Sequence, residues 1–232
     1  MPKEVRCVKK KCRILLNLFT AIMPFAAWLS MLGGASGVLS SHGLASLKYF
    51  TVLSNLFEGI ASLAWLLTVL KYSRAENSRA MHSADSGCTE NRPAMHRAEA
   101  VKFTASLCVL LTFTVVMVFL GPLFGYPSMF KGANFWLHLV VPLAALAEMV
   151  FLVRENITLR ETACSVLPVV VYGCFYLGNI LLHGVRDENG WNDFYGFVTW
   201  GLPAGLGIFA LICLFVFLAG LVMRRIIREK TT

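Results

Sequence analysis

Three series of polar residues stand inside long apolar runs, where each could do chemistry. Thr51, Asn55 and Glu58 fall at offsets of 0, 4 and 7, which is one stripe of a helix. Tyr172, Tyr176, Asn179 and His183, at 0, 4, 7 and 11, form a second stripe, and His138 and Glu148 share a third run. A threonine hydroxyl is a weak nucleophile until a base takes its proton, and a neutral histidine is the usual base. Asn and Tyr side chains can donate to a developing oxyanion, and a carboxylate or amide can orient the histidine. Every one of these residues also has a plain structural reading. A membrane threonine commonly bonds the carbonyl one turn back, a lone histidine at a helix start is often an interface residue, and tyrosines pack. Glu58 and Glu148 can sit protonated and hydrogen-bonded between helices.

The elements that must position these residues are membrane helices. The chain of 232 residues is 57% hydrophobic and only 15% charged, against about 25% charged in soluble domains, which excludes an ordinary soluble fold. Six apolar runs are expected to cross a bilayer, at 14–36, 44–70, 101–124, 134–153, 163–183 and 194–223. Each spans a hydrocarbon core of about 30 Å at about 1.5 Å per residue. Together they predict an all-α bundle of six transmembrane helices that uses up the chain 1–232 as one domain. A basic leader with Lys9, Lys10 and Lys11 precedes the first run, but the run's length and the spans after it predict an uncleaved helix rather than a signal peptide. The stretch 71–100, rich in Ser, Ala, Arg and Glu, reads as a flexible cytoplasmic loop. Gly201 and Gly205 read as a small-residue packing face of the sixth helix.

Charge placement predicts the orientation. Of the 21 Lys and Arg residues, all but Lys48, Lys131 and Arg186 fall in the N-terminus, the second and fourth connections or the C-terminal tail. By the positive-inside rule both termini are then cytoplasmic, in a multi-pass protein of the cell membrane. The net charge of +8 is spread along membrane flanks and forms no single basic patch, so no nucleic-acid partner is expected. None of the seven cysteines forms a CxxC pair, which gives no sign of a zinc site or a disulfide framework. Cys7 and Cys12 are either palmitoylation sites or plain thiols. His42, His138 and His183 match no ligand spacing, so neither metal nor cofactor is expected. Helix direction and rise place Thr51, His138, Asn179 and His183 in the outer third of the bundle, with Glu58 about 10 Å deeper.

Two segments carry a family resemblance: Tyr49-Phe50-Thr51-Val52-Leu53-Ser54-Asn55 and Trp136-Leu137-His138-Leu139-Val140-Val141-Pro142. They resemble the androgen-induced and androgen-dependent integral membrane hydrolases of fatty-acid esters of hydroxy fatty acids, and their six-helix bacterial relatives. A third segment, Gly190-Trp191-Asn192-Asp193-Phe194-Tyr195, stands where the bacterial relatives have a Gly-Trp-Tyr-Pro-type stretch, and departs from it at Asn192 and Asp193. The resemblance implies that Thr51 is a nucleophile, that His138 is its base and that the substrate is a membrane lipid or other fatty-acyl ester. Asn55, Glu58, Tyr172, Tyr176, Asn179 and His183 are the candidates for support or substrate binding. Two other readings stay open on the residues alone. One is a solute or proton-coupled transporter using Glu58, Glu148 and the fifth-run stripe as a polar path, although no internal repeat supports it. The other is a lipid-binding protein without catalysis.

Overall fold

A computed structural model describes residues 3–32, 43–82, 92–153, 155–187 and 190–230. Six segments in it are helices long and apolar enough to cross a membrane. Helix α1 is Lys3–Leu32; a 3₁₀ turn, Gly43–Lys48, leads into α2, Phe50–His82. Helix α3 starts as Arg92–Val115 and runs through a π turn, Val116–Leu120, into Gly121–Phe124. After the one-turn helix Tyr126–Met129, α4 is built from Ala133–Phe135, a π turn at Trp136–Val140, and Val141–Phe151. Helix α5 comprises Leu159–Cys164 and Leu167–His183, and α6 is Leu202–Glu229. A two-residue ladder, Arg186–Asp187 against Gly190–Trp191, lies between α5 and α6.

Successive helices run in opposite directions, so α2, α4 and α6 share one direction. Bonds at both ends fix this: Trp28 to Ser46 and Asn55 to Leu137 at one end, Arg13 to Glu99 and Arg224 to Ile157 at the other. The two ends of the described chain therefore lie at the same end of the bundle. The α2 span is 56% buried and that of α6 only 11%, which puts α2 at the centre and α6 at the rim. Apolar side chains such as Leu18, Leu67, Val118, Phe175 and Leu211 cover the outside, as lipid-facing surfaces require.

Several boundaries differ from the expected ones for local reasons. The leader before the first run is itself helical from Lys3. Helices α2 and α3 continue to His82 and back to Arg92, so most of 71–100 is helix; residues 83–91 lie outside the described residues, as does His42. The sixth helix starts at Leu202 and not at 194. Asp193 accepts from the backbone N–H groups of Phe197 and Val198, Gly201 takes a φ of +88° and Pro203 follows at the helix start, so 194–201 is held out of the helix. Gly201 is accordingly a cap and no part of a packing face. Gly205 does pack closely, with the Phe197 carbonyl oxygen 2.5 Å from where a Cβ would stand.

Candidate functional site

His138 owes its position to Pro142. Proline lacks an N–H, and its ring would collide with the carbonyl four residues back, which is that of His138. The ladder widens here into the π turn, with the Val141 N–H bonded to the Trp136 carbonyl; such single π turns recur at functional sites. The buried His138 ring lies 2.9 Å through Nδ1 from the Met129 carbonyl oxygen. A carbonyl only accepts, so Nδ1 carries the hydrogen and a neutral ring keeps its lone pair on Nε2. Gly125 and Gly132, at φ +82° and +60°, fold the Tyr126–Met129 turn back to present that carbonyl. The group orienting the histidine is thus a backbone carbonyl, and not the carboxylate or amide side chain expected from the sequence.

Thr51 lies in the first turn of α2. The buried Asn55 donates through Nδ2 to the Thr51 carbonyl at 2.7 Å and the Leu137 carbonyl at 3.0 Å. It thereby pins the turn bearing Thr51 to the turn bearing His138. Beneath them Val52 and Leu137 pack with Ala27, Met31 and Ala133 in a small apolar core. No hydrogen bond joins the Thr51 hydroxyl to His138, and among the described residues none engages either that hydroxyl or His138 Nε2. Asn55 has both amide hydrogens committed to carbonyls, so it is a clamp and not a free oxyanion donor.

The α5 stripe turns to a different task. Tyr172 donates to the Lys48 carbonyl, Tyr176 donates to Asp193 and Asn179 donates to Asn192. Asp193 is 2% exposed and also accepts from the Phe197 and Val198 N–H groups. Tyr195 accepts from the Phe50 N–H, next to Thr51. Burial pushes the Tyr195 hydroxyl up to about 12, so it stays protonated at neutral pH. Edge-on contacts of Tyr49, Tyr176 and Phe197 with Phe194 and Tyr195 complete an aromatic cap over the start of α2. His183 is exposed at the end of α5 and joins none of this. Asp193 is the centre of the cap. Asp193→Ala is expected to cost about 2–3 kcal/mol, read as a lower melting temperature in detergent.

Glu58 and Glu148 belong to a second cluster, which draws in residues that the sequence reading had counted as flanking charges. Lys102, 2% exposed, bonds Glu58 and the Ser62 hydroxyl and lies 3.3 Å from Glu148 Oε2. Arg13 donates to both oxygens of Glu99 and, through Nε, to Glu148 Oε1 at 3.0 Å. Its guanidinium stacks 4.4 Å over the Trp65 ring, whose N–H donates to Glu99. Asn17 donates to Glu148 and Ser106 to Glu58. Four helices contribute to this cluster, α1 to α4. The signal was there to find: Arg13, Asn17 and Thr20 fall at 0, 4 and 7, and Glu99, Lys102 and Ser106 at 0, 3 and 7. The same spacing had singled out Thr51, Asn55 and Glu58. Among the described residues no hydrogen bond links this cluster to Tyr172, Tyr176 or Asn179 of the α5 stripe.

The described cysteines are free thiols, and among the described residues no group of His, Cys, Asp or Glu is placed to hold a metal ion. Compared with known proteins, the chain matches no family model, no curated protein and no solved structure.

Proposed function

We propose that the chain is a multi-pass membrane enzyme with both termini in the cytoplasm, hydrolysing fatty-acyl esters such as fatty-acid esters of hydroxy fatty acids. The uneven distribution of Lys and Arg supports the orientation, even with Arg13 and Lys102 counted as bundle residues. The observation that carries the activity is the clamp. Asn55 holds together the turn of Thr51, whose hydroxyl makes no hydrogen bond among the described residues, and the turn of His138. His138 Nδ1 meets the Met129 carbonyl, so that Nε2 of the neutral ring can take a proton.

In this reading the Thr51 oxygen attacks the ester carbonyl while His138 Nε2 takes the hydroxyl proton. The same nitrogen returns that proton to the departing alkoxide, leaving an acyl-threonine. Water, deprotonated by Nε2, then releases the fatty acid and restores the hydroxyl. The Met129 carbonyl keeps the ring in one tautomer throughout. Phe135 and Trp136, both part-exposed beside His138, give an acyl chain an apolar approach from the lipid.

The test is to incubate the purified protein in lipid vesicles with an ester of a hydroxy fatty acid. Free fatty acid is then measured, and the protein is searched by mass spectrometry for an acyl group on the peptide carrying Thr51. Turnover lost in Thr51→Ala supports the reading. No turnover by the wild type, or turnover unchanged in Thr51→Ala, refutes it.

A further inference from the structure

The buried cluster of α1 to α4 has three carboxylates, Glu58, Glu99 and Glu148, facing two cations, Arg13 and Lys102. These five are the charged groups that the four helices turn toward Glu148. An unbalanced negative charge in apolar surroundings is expensive. Two further observations point to the same place. Glu148 Oε2 and Asn17 Oδ1 are both buried and without a hydrogen-bond partner, on side chains that are 1% and 0% exposed. Those two side chains are already joined, because Asn17 Nδ2 donates to Glu148 Oε1 at 2.7 Å. A carboxylic acid and a primary amide pair naturally through two bonds, amide N–H to one acid oxygen and acid O–H to the amide oxygen. The first of these bonds is present.

Hydrogen-bond accounting also separates the three carboxylates. Glu99 receives both Arg13 nitrogens and the Trp65 N–H, and Glu58 receives Lys102 and Ser106. Both are served as ionised acceptors, whereas Glu148 Oε2 makes no hydrogen bond and faces only the Lys102 ammonium, 3.3 Å away and already bonded to Glu58.

We propose that this cluster is a proton-binding site, with one proton held on Glu148 Oε2 and donated to Asn17 Oδ1. The cluster is then electrically neutral, two cations against two carboxylates, and both unpartnered acceptors are satisfied. Binding is a simple protonation, taken up from water and returned to it, with no other bond made or broken. The site stands apart from Thr51 and His138 and does not depend on ester hydrolysis.

Infrared spectroscopy of the whole protein in vesicles tests it, through the carbonyl stretch of a protonated carboxyl group that shifts in D₂O. The expected result is one such group per chain at neutral pH, lost in Glu148→Gln. Glutamine reproduces the protonated acid, an acceptor on one side and a donor toward Asn17 Oδ1 on the other. Glu148→Gln should therefore melt within about 3 °C of the wild type, which is under roughly 1 kcal/mol for a chain of this size. Lys102→Gln removes one cation and should double the signal. A wild type without the signal overturns the proposal, as does a signal that survives Glu148→Gln. A signal that appears only when sodium is replaced by choline also overturns it, because a sodium ion then holds the place.

Discussion

Lys102→Met is expected to destabilise the protein by about 3–5 kcal/mol, the usual cost of removing one partner from a buried ion pair. Lys102 touches four groups on three neighbouring helices: Glu58 and Ser62 on α2, Thr20 on α1 and Glu148 on α4. Methionine fills nearly the same volume, so the loss is electrostatic and owes little to a cavity. Glu58, fully buried, would keep only weak donors. Unfolding in detergent, followed by helical signal against temperature or denaturant, checks this. The double variant Lys102→Met with Glu58→Gln should recover much of the loss, because charge is then removed in pairs. A single variant as stable as the wild type would mean that Glu58 does not depend on the ion pair, being neutralised by a proton or solvated by water.

The second large effect concerns turnover. His138→Gln is expected to slow ester hydrolysis by about 10²–10⁴-fold, the contribution usual for a positioned general base. Glutamine retains a donor toward the Met129 carbonyl and removes the basic nitrogen, so the fold should be kept while the chemistry fails. Thr51→Ser should retain part of the activity, and Thr51→Ala none above background. Asn55→Leu touches neither reacting group, yet it cuts the tie between the Thr51 and Leu137 carbonyls and should lower kcat through misplacement. Steady-state rates with a fluorogenic acyl ester give all four values. A His138→Gln enzyme with wild-type kcat would remove His138 from the chemistry.

The six helices were legible because lipid demands it: about twenty apolar residues per crossing leave a plain mark in a sequence. The Thr51 stripe was legible too, since α2 is regular across it. His138 shows where legibility stops. Its partner is a backbone carbonyl nine residues earlier, delivered by two glycines at positive φ, and no side-chain pattern announces a carbonyl. Tyr176 and Asn179 had the right spacing and a different destination, because the α5–α6 connection folds back over them around Asp193. Arg13 and Lys102 were misplaced for another reason. Counting charges by loop assumes that a basic residue near a helix end is solvated, whereas these two lie within spans beginning at Val8 and Pro93.

The buried cluster also has a consequence for how the chain is made. As successive helices emerge, α1 brings Arg13, α2 brings Glu58, and α3 brings Lys102 and Glu99. Each alone is costly to leave in lipid, so these three helices gain by waiting for one another before partitioning outward. With α3 in place the sum is zero, and a nascent chain ending after residue 132 already holds a balanced set. Helix α4 then arrives as the last partner, carrying a carboxylate that meets Arg13 and Lys102 when both are already paired with Glu99 and Glu58.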